Sequence, residues 1–176
     1  MDFENLSERK DLVKILFCCG LIEEKISQAY ESIASRIDDE VVRVLLEYIA
    51  EDSLKHSKIL QGVSKYLGVD EVDIEECGEL LGITAIRIIE DSKKSMMGIE
   101  KISLKELASE FDDLVNLEKY FGEEYFNLIQ IKLLGTLIEH EGIEIGFLKD
   151  ILEYIVEDER RHEKILNAIK TYALQG

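Results

Sequence analysis

The chain has no proline and no tryptophan, and only three of its 176 residues are cysteine. The missing proline excludes collagen-like and proline-rich architectures, and abundant Ile, Leu, Glu and Lys favour long helices over most all-β classes. Cys18, Cys19 and Cys77 form no CxxC pair and two of them are adjacent, which predicts neither a disulfide framework nor a zinc ribbon. Basic side chains are scarce: 21 Lys and Arg stand against 38 Asp and Glu, for a formal net charge of −17. A surface of that sign repels phosphate backbones and anionic headgroups, so neither a nucleic-acid nor a membrane partner is expected. No apolar run reaches the length of a bilayer span, and residues 1–15 are too acidic for a signal peptide, so a cytoplasmic protein is expected. Four Asn and four Gln beside 34% charged residues hint at a thermophilic source. What is present is apolar bulk, 46% of the chain, enough for one domain with a sizeable core over residues 1–176.

That apolar content is periodic. Leu12, Leu16, Cys19, Ile26, Tyr30, Ile33 and Ile37 follow alternating steps of four and three, with Glu23 on the same stripe. Ile49, Leu60, Val63 and Leu67 form a second stripe that carries Ser53 and His56. Leu148, Leu152, Ile155, Leu166, Ile169 and Ala173 form a third that carries Glu159 and His162. Such steps are the seam spacing of bundled helices. Local chemistry predicts the boundaries: Asn5 with Glu8, Ser35 with Asp38, Asp73 with Glu76 and Ser103 with Glu106 read as helix starts, and Gly68, Gly98 and Gly142 as ends or turns. The stretch 126–138, FNLIQIKLLGTLI, is apolar nearly all round and predicts burial on several sides or cover by a partner subunit, hence a homodimer or larger homo-oligomer.

An internal repeat organises these stripes. EYIAEDSLKHSKIL (47–60) and EYIVEDERRHEKIL (153–166) agree at nine of fourteen positions with a constant offset of 106. LIEEKI (21–26) aligns with LIQIKL (128–133) when the intervening turn is one residue shorter. The chain then reads as hairpin one over 5–68, a partly helical crossover over 69–109 and hairpin two over 110–174. Two hairpins joined by one long crossover make an all-α four-helix bundle of the ferritin type. His56 and His162 are repeat-equivalent, Glu159 and His162 share a helix face at i, i+3, and Glu23 is level with Ser53 in an antiparallel hairpin. Glu23, His56, Glu159 and His162 are thereby expected to gather at one depth in the core, where carboxylates and imidazoles are costly unless paired or on a metal. Their chemistry suits iron, manganese or zinc.

These residues resemble the ferritin-like di-iron carboxylate proteins, and most closely the helical domain of rubrerythrin. That family carries Glu, Glu-x-x-His, Glu and Glu-x-x-His on four successive helices. Glu23 with Tyr30 seven residues later resembles the first helix, and Glu159-Arg-Arg-His162 matches the last motif in full. The rubredoxin-like part of rubrerythrin is absent. Two departures deplete the site: Ser53 replaces the Glu of the first Glu-x-x-His, and the third helix offers Gln130, the repeat-equivalent of Glu23, or Glu124, placed level with Glu159 by a turn at Gly142. Glu123 and Glu139 are less well placed for that role. One tight metal, or an asymmetric pair with water or an anion at Ser53, is expected.

The resemblance implies one or two ions of iron or manganese and reduction of peroxide or oxygen with Fe(II) oxidation, so a small oxidant or Fe(II) is the expected partner. A competing expectation follows from the depleted carboxylates: a non-catalytic structural or interaction module with one metal or none. Asp52 is a candidate substitute for the missing carboxylate. Cys19, one turn before Glu23, reads as a small hydrophobe rather than a ligand. Glu157, Asp158, Arg160, Arg161 and Glu163 read as solvated charge, and His140 as exposed near a turn.

Overall fold

The computed structural model describes residues 9–82, 86–88, 90–91, 94, 98–120 and 146–175. They form an all-α protein with no β-strand among them: α1 (Arg9–Arg36), α2 (Glu40–Tyr66), α3 (Ile74–Leu81), α4 (Leu104–Lys119) and α5 (Gly146–Ala173). None of the described helices is long and apolar enough to cross a membrane. Backbone contacts group the chain into two compact units, one of Met1–Arg36 with Leu46–Glu100, the other of Ile37–Leu45 with Lys101–Gly176.

In the first unit, α1 packs against the body of α2 as a hairpin. Its predicted stripe is buried throughout, from Leu12 and Leu16 to Ile33. Gly20 marks a close approach, because a Cβ built on it would meet Gln61 Cγ at 2.8 Å and the Ser57 carbonyl at 3.0 Å. A backbone oxygen yields little. Gly20→Ala gains about 1 kcal/mol of helix propensity and loses about 1–3 kcal/mol to overpacking. The expected result is a lower melting temperature, and a rise would show that the helices separate freely.

Helix α1 is also buried at Val13, Ile15, Phe17 and Cys18, off the predicted stripe, and α3 covers part of that second face. Lys14 Nζ reaches Glu76 Oε1 at 2.5 Å, and Cys18 is joined to Cys77 by a disulfide spanning 59 residues. This corrects the expectation that the cysteines form no disulfide. Adjacent residues on a helix point about 100° apart, so Cys18 faces α3 while Cys19 stays a buried free thiol.

Gly68, with φ of +92°, closes α2 as predicted: Val69 N–H donates to the Ser64 carbonyl and Gly68 N–H to that of Lys65, satisfying carbonyls the helix end exposes. The start of α2 differs from expectation. Ser35 turns its hydroxyl back onto the Ser32 carbonyl of α1, and Asp39 accepts the Val42 N–H at 3.0 Å instead.

In the second unit, α4 packs along α5. Ser103 and Glu106 form the predicted reciprocal cap, whereas Asp73 precedes α3 without a side-chain cap bond. On α5 the predicted seam is buried from Leu152 through Ile155, Glu159, His162, Leu166 and Ile169 to Ala173, with Leu148 half-buried and Val156 buried beside it. Leu107, Phe111 and Glu118 are the buried counterparts on α4.

Candidate metal centre

Each unit buries a histidine beside glutamate, and the seam spacing is why. On α1 and α2 of the first unit, Glu23 and His56 lie on stripes whose neighbours are otherwise apolar apart from Ser53, so both are carried into the interior. His56 Nδ1 lies 3.9 Å from Glu23 Oε2. Ser53, one turn before His56 on α2, is fully buried, and its Oγ has no hydrogen-bond partner among the described residues. Asp52 is buried but accepts a bond from Lys55 Nζ at 2.7 Å on its own helix, and does not join Glu23 and His56 in a ligand group. Burial, and then the charge of Glu23, push the Cys19 thiol well above its ordinary pKa, which keeps it protonated and inert.

The second unit holds a three-residue cluster. Glu159 and His162 project from one face of α5, and Glu118 of α4 meets them. His162 Nδ1 stands 3.3 Å from Glu118 Oε2 and 3.7 Å from Glu159 Oε2. One ligand atom from each of the three residues lies within 4.8 Å of the others, and all three side chains are buried. Burial alone would lower the His162 pKa, but its bonds to Glu118 and Glu159 outweigh that and push it up to about 11. Burial, reinforced by the charge of Glu159, pushes Glu118 up to about 7 against the pull of His162. The metal-free cluster therefore retains a proton at neutral pH, shared within the group rather than owned by one residue.

The four principal sequence candidates, Glu23, His56, Glu159 and His162, are thus all buried. Glu124 and Gln130, with Glu123, Glu139 and His140, lie outside the described residues, as does the stretch 126–138. Glu118 was not anticipated. Its signal was the spacing Leu107, Phe111, Leu114, Glu118, steps of four, three and four that place it on a seam. The flanking charges of α5 behave as expected, with Arg161 exposed and bonded to Asp158 at 2.5 Å.

No family model matches the chain, nor does any curated protein or solved structure. What the geometry offers is chemical: buried Glu and His groups that could hold a metal ion.

Proposed function

We propose that this chain is a ferritin-like, rubrerythrin-like metal-binding protein that holds iron or manganese for oxidoreductase chemistry, reducing peroxide or oxygen with Fe(II) oxidation. The observation that carries the reading is the buried Glu118–Glu159–His162 group. Two carboxylates and an imidazole in a dry interior are a poor choice for stability and a good one for a divalent cation of borderline hardness. The internal repeat, the buried seams and the Glu–His pair in each unit support the ferritin-like four-helix arrangement as the frame of that chemistry. Bound iron or manganese would supply one-electron redox capacity at a coordination position open to the oxidant. Zinc fits the same donors without redox activity. The chain's own part is to bind: Glu159 and His162 approach from one face of α5, and Glu118 comes from α4. One or two ions per chain are proposed, along with assembly into a homo-oligomer.

Elemental analysis of protein purified without chelators, repeated after anaerobic Fe(II) loading, tests the reading. One or two ions per chain are expected, falling to background in Glu159→Ala and His162→Ala while helical circular dichroism persists. Unchanged metal content in those variants would sink it. Binding is also expected to weaken on acidification, by about tenfold per pH unit for each proton displaced, because the proton kept by the cluster must leave before His162 can ligate. A pH-independent affinity would exclude this group as the site. Ser53 in place of a carboxylate favours a second reading, a helical module that binds metal without catalysis; it predicts bound metal and no peroxide consumption.

A further inference from the structure

Helix α3 has little of its own to hold it in place. Its eight residues are too few to be helical alone. Asp73 gives it no side-chain cap, and no basic residue stands in its last turn to meet the helix dipole. Glu75 and Glu79 are both exposed at i, i+4, where like charges repel. The stretch from Asp70 to Glu79 holds six carboxylates and neither lysine nor arginine, so it repels itself when compact. The buried side chains of α3 are Cys77 and Leu81, and its ion pair to Lys14 of α1 is partly exposed. One of those two buried residues is the one bonded to Cys18. Cys18 lies off the α1 stripe that faces α2, so the α1–α2 hairpin does not need α3. A single covalent bond thus separates two arrangements of the crossover helix, docked and released.

We propose that Cys18 and Cys77 form a reversible redox switch: reduction by a dithiol releases α3 from α1, and oxidation by peroxide docks it again. The switch is independent of the metal-binding reading. Both sulfurs are fully buried, so a reductant reaches them through local melting of α3 around the closed bond. A thiolate of the dithiol attacks one sulfur, and its second thiol resolves the mixed disulfide. Two electrons and two protons then rest on Cys18 and Cys77. In the reverse direction one thiolate of the pair attacks the O–O bond of hydrogen peroxide and becomes a sulfenic acid, and the hydroxide released takes up a proton as water. The other thiol condenses with the sulfenic acid, closing the S–S bond and expelling a second water. Cys19 points about 100° away and stays buried in both states.

The test reduces the native full chain with dithiothreitol at several urea concentrations below its unfolding transition and counts free thiols by alkylation and mass. Melting of one short helix exposes little surface, so the reduction rate is expected to stay within about twofold across the series. A rate that climbs about tenfold or more per molar urea, in step with global unfolding, marks a purely structural bond and overturns the proposal. Glu79→Lys turns the Glu75 repulsion into an attraction and should slow reduction about threefold; an unchanged rate shows that α3 does not melt to open the bond, and overturns it too. In the reduced chain, amide exchange should rise about a hundredfold or more in Ile74–Leu81 and little in α2, whereas protection kept in α3 would leave nothing switched. Equimolar hydrogen peroxide should then remove both thiols and restore that protection. Oxidation that stops at sulfinic acid without closing the bond refutes reversibility, and with it the switch.

Discussion

Replacing His162 with leucine is expected to destabilise the metal-free protein by about 3–5 kcal/mol, the range found when a buried ion pair loses one partner. For a chain of this length that is a fall in melting temperature of roughly 10 °C. The imidazole lies between two buried carboxylates, 3.3 Å from Glu118 and 3.7 Å from Glu159. Leucine fills the space and leaves both acids without their cation. The pH dependence carries a sign that simple loss of packing would not. His162 is raised from 6.5 to about 11, so its contribution is complete below its unfolded pKa and lost only as pH climbs through the folded value. Glu118 is raised from 4.5 to about 7, so its ionisation opposes folding increasingly from acid to neutral pH. Without His162 that opposition should grow, and the variant should recover part of its stability between pH 7 and pH 5, where the wild type gains less. Melting curves at the two pH values decide the matter. A deficit independent of pH would mean that the acids do not depend on the imidazole. Changing Glu118, Glu159 and His162 together to leucine should be neutral or stabilising, as for other buried ionic clusters replaced by apolar residues. A triple variant that is stable and binds no metal would show that the charges are kept for binding rather than for folding.

The helical core was legible in the sequence because its signal is short-range and periodic. Alternating steps of four and three placed Glu159 and His162 between Ile155 and Leu166, and a polar residue on such a stripe is buried by its neighbours whatever its own preference. The same logic exposes Glu118 in retrospect. The repeat pairs Glu23 with 128–133 rather than with Glu118, and Glu118 stands between Leu117 and Lys119 in a segment that reads as ordinary surface until the step from Phe111 is counted. Ser35 illustrates a different failure. A serine three residues before an aspartate can cap the next helix or bond back into its own, and the choice depended on α1 continuing through Arg36, leaving Asp39 at the start of α2. The disulfide was illegible for a third reason. No local pattern says that a helix of eight residues in the crossover will lie against α1, and until it does Cys18 and Cys77 are merely far apart in sequence.

That disulfide carries the second large expected effect. Changing Cys18 and Cys77 together to alanine should lower stability by up to about 4 kcal/mol, the loop-closure value for a bridge spanning 59 residues, and the melting temperature by roughly 10 °C. Reductant should lower the wild-type melting temperature similarly and leave the double variant unmoved. Thiol titration of the denatured, unreduced chain should find only Cys19; three reactive thiols would remove the premise. The bridge does more than restrict the unfolded chain. Helix α3 has only eight residues, too few to be stable alone, so its helicity depends on docking. Leu81 and Cys77 are its buried hydrophobic side chains, and the Lys14–Glu76 pair is partly exposed and weakly stabilising. Amide exchange in Ile74–Leu81 should therefore accelerate in the double variant well before exchange in α1 does. Equal acceleration across both helices would confine the effect to unfolded-state entropy, whereas selective loss in α3 would make Cys18–Cys77 the clamp that holds the crossover helix on α1.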